Sequence, residues 1–386
     1  MWYFVSPEIV FGEDAISHLD EICGKRALIV TDNNMVTMGC SEDVKKHLVN
    51  AGLECRLFQE VEPEPSLTIV KKGARVARSY RPDWIVGLGG GSVLDAAKAI
   101  WVLYERPDIR PEEINPFDSL QLRQKARLIT IPTTSGTGSD SNWGLVLTDK
   151  TAKRKLGLGS REVHADIAIV DPKFASQMPP QLTADTGMDA LTHAIEGYTS
   201  GWKNDFSDGL CLKAIQLVFH FLPRAYRNGD DSEAREKMHN AASIAGLGFG
   251  NSMASIAHSA GHSLGALFHI SHGRAVGIFL PYTIEFAADV SASNYAEIAH
   301  LLEINTEENN PVVSLVEAIR NLAQEIDQPI KIKDLGISQS RFEKLLPKLV
   351  SYADMDTQTV TASRVPTTEE YERLFRYAYD GKSVDF

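Results

Sequence analysis

Cysteine is scarce in this sequence: four among 386 residues (Cys23, Cys40, Cys55, Cys211), with no CxxC pair. That excludes a disulfide scaffold and a zinc ribbon, and scattered thiols suit a reducing compartment. No run of about 20 apolar residues occurs, which excludes a helix spanning a bilayer and leaves no membrane partner expected. The opening, MWYFVSPEIVFGEDA, lacks the basic segment of a secretory signal, so a cytoplasmic location is expected. Positive charge is in deficit, with 39 Lys and Arg against 51 Asp and Glu and a formal net charge of −12. Such a surface repels a phosphate backbone, and nucleic acid is excluded as a general partner.

What is present is ordinary for a globular chain: 43% hydrophobic and 23% charged residues. At about 150 residues per domain, the length suggests two domains. Short apolar runs at 26–32, 55–58, 83–87, 126–131 and 165–171 alternate with helical patterns at 42–52, 66–80 and 95–104. Alternation of this kind predicts a parallel sheet covered by helices on both faces. After Pro179-Pro180 the texture changes to helical periodicity alone, at 184–199, 205–228, 232–249, 253–267, 296–302 and 311–325. The division therefore falls at 1–180, an α/β domain, and 181–386, an all-helical domain, with chemistry expected in the cleft between them.

Two loops in the first half have the composition of a phosphate cradle. In DWIVGLGGGSVLD a strand runs into Gly89-Gly90-Gly91-Ser92 and then into a helix, whose free N–H groups and dipole favour an anion. Ser92 and Asp95 fit a capping box at that helix start. Ser92 stands where the third glycine of GxGxxG would fall, so the run is Rossmann-like but not the usual fingerprint. PTTSGTGS, residues 132–139, follows another strand and is dense in hydroxyls and backbone donors. Two such loops at the strand ends of one sheet suggest a shared ligand. Asp32, closing the first strand, is placed to accept hydrogen bonds from an adenosine ribose, which favours NAD over NADP; a turn residue is the alternative reading.

The second half carries metal-ligand spacing. Asp189 and His193 form an i, i+4 pair in TADTGMDALTHAIEGY, and His258 and His262 another in IAHSAGHSLGALFHISHG. On one straight helix His258 and His272 would lie roughly 20 Å apart. Both can ligate only if the helix ends between them, and Gly273 offers an αL stop. The expected ligands are Asp189 and His193 on one helix, His258 on a second and His272 on the turn that folds back. Three imidazoles and one carboxylate suit Fe²⁺, Zn²⁺ or another first-row divalent metal better than Mg²⁺ or Ca²⁺.

Taken in order, FVSPEIVFGEDA, VGLGGGSVLDAAKAI, ITIPTTSGTGSD, AIVDP, TADTGMDALTHAIEGYTS and the spaced histidines up to His272-Gly273 resemble the iron-containing (group III) alcohol dehydrogenase family nearly end to end. The resemblance implies a nucleotide-binding α/β domain, an all-helical metal-binding domain and an active-site Fe²⁺. It implies hydride transfer between NAD, or NADP, and a small alcohol or aldehyde polarised by the metal, in a homo-oligomer. By position it carries metal ligation to Asp189, His193, His258 and His272 and a proton-relay role to His262. Dinucleotide contact passes to Asp32, Gly91, Ser92, Thr133, Thr134 and Lys155, with Gly89, Gly90 and Thr137 as loop neighbours. Asp140, Asn142-Trp143, Ser259-Ala-Gly261 and Ser263 depart from the family pattern and are expected to flank the substrate pocket. Alternatives on the same fold are a polyol or hydroxy-acid dehydrogenase and a lyase resembling dehydroquinate synthase. From a different class, a metal-dependent hydrolase would use the Asp/His site and leave both phosphate-type loops without a role.

Overall fold

The structure is a computed structural model that describes residues 3–152, 154–307 and 310–386. The chain forms two compact units, Met1–Gln177 and Met178–Phe386.

Among the described residues of the first unit are eight strands and four α-helices: β1 (Glu8–Phe11), β2 (Arg26–Val30), α1 (Asn33–Thr37), α2 (Cys40–Asn50), β3 (Glu54–Phe58), α3 (Leu67–Tyr80), β4 (Trp84–Gly89), α4 (Gly91–Glu105), β5 (Arg127–Pro132), β6 (Gly144–Asp149), β7 (Arg154–Gly159) and β8 (Ile167–Val170). Six strands make one sheet in the order β1-β8-β5-β4-β2-β3, all neighbours parallel. The inner strands β4 and β8 are buried along their whole length, as near-continuous Val/Ile/Leu runs in a doubly covered sheet should be. Sequence alternation thus leads to the expected parallel α/β architecture. Two features escape it. β1 is a four-residue edge strand too short to show a period, and β6 and β7 form an antiparallel hairpin outside the sheet.

The helix after the glycine loop corrects the expected capping box. α4 begins at Gly91 with Gly90 as its N-cap, two residues before the expected cap at Ser92, and no side chain caps it. Ser92 Oγ instead accepts from Glu64 N at 3.2 Å, and Asp95 turns inward to bond Ser139 Oγ at 2.6 Å and Val146 N at 2.8 Å.

The second unit has helices and no strand among its described residues: α5 (Pro180–Thr199), α6 (Asp205–Arg227), α7 (Ser232–Gly250), α8 (Ile256–Phe268), α9 (His272–Phe286), α10 (Ala288–Leu301), α11 (Pro311–Glu325), α12 (Gln339–Asp354) and α13 (Thr368–Asp380). Periodicity missed α9, α12 and α13 and only touched α10. α9 is apolar nearly all round because it is a core helix, so it shows no polar face to set a phase. No single described helix is long and apolar enough to cross a bilayer; α9 and α10 qualify only jointly, and they meet at 112°.

The turn before His272 also differs from expectation. α8 stops at Phe268 because His269 takes the left-handed conformation (φ 59°, ψ 42°), while His272 opens α9 and Gly273 lies inside that helix. Gly273 is needed for space. A Cβ there would stand 2.1 Å from the backbone oxygen of Asp185, so α9 lies backbone to backbone on α5.

Candidate metal centre and dinucleotide loops

α5 presents Asp189 and His193 one turn apart on a buried face, α8 contributes His258, and the first residue of α9 is His272. Ligand atoms of these four side chains all lie within 4.8 Å of one another. From Asp189 Oδ1, His193 Nδ1 is 3.7 Å away, His258 Nε2 3.7 Å and His272 Nε2 3.3 Å. Donors around one ion at about 2.1 Å in a tetrahedron stand about 3.4 Å apart, close to this spacing. Asp189 Oδ1, His193 Nδ1 and His258 Nε2 are all buried without a hydrogen-bond partner. Three orphaned polar atoms converging on one point are costly unless a cation satisfies them together. The donor set therefore fits a divalent metal.

Protonation agrees. Burial alone would raise the Asp189 carboxyl, but the imidazoles of His272 and His193 outweigh it and hold the group well below the usual carboxylate range. Burial pushes His193 well below the usual imidazole value despite Asp189, which leaves a neutral ring with a lone pair to give. His272 is the open side of the cluster: its side chain is 33% exposed, against 1% for Asp189 and 3% for His258.

Glu196 supports the cluster from behind, and sequence reading missed it. His258 Nδ1–H donates to Glu196 Oε2 at 2.5 Å, since a carboxylate can only accept, and this turns Nε2 toward Asp189. The same carboxylate accepts from Ser255 N at 2.9 Å and Ala257 N at 2.6 Å, so it also caps α8, whose own N-cap side chain makes no such bond. Burial opposes protonation of His258, but the carboxylates of Glu196 and Asp189 together prevail and push its pKa up to about 9; an orienting carboxylate raises the basicity of a metal-binding imidazole. The signal was present in the spacing: residues 189, 193 and 196 share one helix face. Glu196→Gln keeps the shape and removes the charge. It is expected to weaken metal affinity about 10- to 100-fold, measured by competition with a chelator; unchanged affinity would remove Glu196 from the site.

His262, one turn beyond His258, stays outside the ligand set. Its ring stacks on His272 with centroids 5.2 Å apart, and Nδ1–H donates to Asp356 Oδ2 at 2.8 Å. Asp356 was also missed, lying in a segment with no periodic signal. It caps the turn Thr357–Thr361 through Gln358 N, and Thr359 Oγ1 anchors that turn to Ser259 Oγ at 2.9 Å.

Several family departures turn out to serve packing. Ser259 is buried against Thr359; Ser263 is buried and donates to Leu349 O at 2.7 Å; Gly261 lets α8 approach Val276 of α9. Asn142 is buried beneath its own loop. Their side chains are engaged in holding helices and a loop together.

In the first unit the two glycine-containing loops touch. Thr133 N donates to Gly89 O at 3.1 Å, and a Cβ on Gly90 or Gly91 would meet Thr134 at 3.2 Å or Thr137 at 2.8 Å. Ser92 and Lys155 meet through Glu64, whose backbone N–H donates to Ser92 Oγ and whose carboxylate pairs with Lys155 Nζ at 2.7 Å. Gly89, Gly90, Gly91, Ser92, Thr133, Thr134, Thr137 and Lys155 thus cluster about the N-terminus of α4. Asp32 sits at the end of the adjacent strand, where its Oδ1 caps α1 by accepting from Asn34 N and Met35 N. The turn reading of Asp32 is what the hydrogen bonds display.

A six-stranded parallel sheet with loops of this kind, together with a helical unit holding an Asp/His₃ cluster, defines a metal-dependent, dinucleotide-linked oxidoreductase. Residues 6–172 match the family described as iron-containing alcohol dehydrogenase, and residues 183–379 match the C-terminal part of the Fe-containing alcohol dehydrogenase family. The chain belongs to the iron-containing alcohol dehydrogenase family, whose members work with NAD(P). It is 38% identical to an NADPH-dependent butanol dehydrogenase of Clostridium saccharobutylicum over 390 residues, covering 100% of each chain. It is 34% identical to a bifunctional aldehyde-alcohol dehydrogenase of Escherichia coli, covering 99% of this chain but 46% of that one, so it spans about half of such bifunctional relatives. A crystal structure of 1,3-propanediol oxidoreductase superposes with a TM-score of 0.92 at 31% identity, covering 98% of this chain and 100% of that one.

Proposed function

We propose that this chain interconverts a small alcohol and its aldehyde, with NAD(H) as the hydride carrier and Fe²⁺, or Zn²⁺ or another divalent ion, held by Asp189, His193, His258 and His272. The observation that carries this reading is the convergence of three orphaned, buried donor atoms on one point beside a partly exposed fourth ligand. A metal bound there supplies Lewis-acid polarisation of the substrate oxygen. His272 leaves that side open to a ligand. His262, outside the ligand set and fixed by Asp356 with Nδ1 protonated, keeps Nε2 available to pass a proton to or from the substrate oxygen. In the first unit the backbone N–H groups at the start of α4 and the hydroxyls of Thr133, Thr134 and Thr137 receive the diphosphate, and Lys155, held by Glu64 near Ser92, contacts the dinucleotide. This assigns dinucleotide binding to residues 1–180 and metal chemistry to 181–386. We read the protein as a cytoplasmic homo-oligomer acting on small molecules, with neither nucleic acid nor membrane as partner; the net charge of −12 supports the exclusion of nucleic acid.

The decisive experiment follows absorbance at 340 nm with metal-loaded protein, NADH or NADPH, and a series of short aldehydes. Metal-dependent oxidation of the cofactor is expected. Turnover of substrate without either cofactor would point to the hydrolase alternative instead.

Cofactor choice is testable at Asp32. A carboxylate at this strand end repels the 2′-phosphate of NADP. Asp32→Ser keeps an N-cap for α1 while removing the charge. The ratio of NADPH to NADH affinity is expected to rise about tenfold, equivalent to removing roughly 1.4 kcal/mol of repulsion; an unchanged ratio would return Asp32 to a capping role alone.

A further inference from the structure

Lys98 has no solvent exposure, although Lys is among the residues least often buried. It lies on α4 seven residues beyond Gly91, about 10 Å along the helix from the candidate diphosphate cradle. Its ammonium has three N–H donors and meets three acceptors: Ser139 Oγ at 3.0 Å, Asn142 Oδ1 at 3.2 Å and Gly144 O at 2.8 Å. Asp95, one turn earlier, accepts from the same Ser139 hydroxyl and from Val146 N of β6. Asn142 passes the restraint on, accepting from Gly144 N at 2.9 Å and donating through Nδ2 to Gly138 O at 2.9 Å. The loop so held is the one whose Thr134 and Thr137 pack on Gly90 and Gly91, and β6 pairs Thr148 with Lys155 on β7. Thr133, Thr134, Thr137 and Lys155 therefore lie on segments tied to the Asp95–Lys98 pair, and Gly89 accepts from the first of them.

We propose that Lys98 is a positioning residue for the dinucleotide site: with Asp95 it clamps loop 133–144 and the β6–β7 hairpin onto α4 in the arrangement that receives the diphosphate. The inference rests on the dinucleotide reading of these loops. Burial pushes the Lys98 pKa down to about 8 against the pull of Asp95 and Asp140, so the ammonium stays protonated at neutral pH with all three donors in use. Lys98 touches no ligand itself. It acts through groups that do.

The test titrates NADH, followed by its fluorescence, into the metal-loaded parent and into Lys98→Met, Asp95→Asn and the neutral pair Lys98→Met/Asp95→Asn. Metal content and thermal stability are measured on the same samples. Lys98→Met is expected to raise the Kd and KM for NADH at least tenfold, with kcat at saturating cofactor changed less than threefold and metal stoichiometry unchanged. The neutral pair is expected to regain part of the stability lost in the single variant, because Asp95 no longer stands as a buried carboxylate beside an apolar side chain, yet to keep the weak NADH binding. Asp95→Asn, which retains one acceptor, is expected to raise Kd about threefold. Parental NADH affinity in folded Lys98→Met overturns the proposal, and so does affinity that recovers in step with stability in the neutral pair. Should Lys98→Met fail to fold, the neutral pair carries the same comparison. A parent that binds neither NADH nor NADPH defeats the dinucleotide reading itself and is distinguished by that first titration.

Discussion

His258→Ala is expected to abolish stoichiometric metal binding and to lower aldehyde-dependent NADH oxidation by about a thousandfold or more, since Lewis-acid stabilisation supplies several kcal/mol at about 1.4 kcal/mol per decade. His258 is the ligand most tightly fixed from behind, through Glu196 at 2.5 Å, and its Nε2 is one of the three orphaned donors. Removing the ring leaves Glu196 its bonds to Ser255 N and Ala257 N, so α8 stays capped and the fold is expected to persist. Metal analysis, turnover at 340 nm and circular dichroism on one preparation check all three statements. His262→Ala is the informative contrast. It should retain the metal and lose about 10²- to 10⁴-fold in turnover, the range of a general acid–base contribution. Full metal occupancy with parental turnover in His258→Ala would refute the assigned ligand set.

Gly273→Ala is expected to destabilise the second unit by about 3 kcal/mol, at or above the upper end of ordinary overpacking. The added methyl would meet Asp185 O at 2.1 Å and Asp185 C at 2.8 Å, both backbone atoms that no rotamer change can move. α9 must shift away from α5. His272 precedes Gly273 and Asp189 lies one turn beyond Asp185, so the shift separates two ligands now 3.3 Å apart. Asp185 further ties the start of α9 by accepting from Ser271 Oγ at 2.6 Å and Arg274 Nε at 3.0 Å. Loss of metal affinity should therefore accompany the loss of stability. Urea unfolding of the metal-free protein and chelator competition measure the two effects separately. Gly209→Ala serves as control: a Cβ there meets nothing within 4 Å in α6, and helix propensity should make it neutral or stabilising by up to about 1 kcal/mol. A Gly273→Ala protein as stable as the parent would show that α5 and α9 separate freely.

Much of the site was legible because helix geometry converts spacing into proximity. The pair Asp189 and His193 needs only an α-helix to share a face, and α5 supplies it. The inference that a break must separate His258 from His272 also follows from helix rise, and α8 does end at Phe268. The residue responsible for the break was misread. Glycine is the usual left-handed residue, yet His269 takes that conformation, while Gly273 is reserved for a close approach to α5 that no local pattern reveals. The capping box failed for a similar reason. Ser92 and Asp95 have the residue types of a cap, but Asp95 turns inward to Ser139 and Val146.

By itself the sequence determined what depends on local period and composition: the alternating α/β half, the helical half, the glycine loops at strand ends and the residue types able to hold a metal. Only the tertiary structure decided which atoms meet. Glu196 and Asp356 became the orienting carboxylates of His258 and His262 across 62 and 94 residues, respectively. The glycine loops met because β4 and β5 lie side by side in the sheet, and α9 reached the cluster because a hydrogen atom, and nothing larger, stands between it and α5. Contacts of that range are set by packing density and backbone approach, which act between segments and leave no period within any one of them.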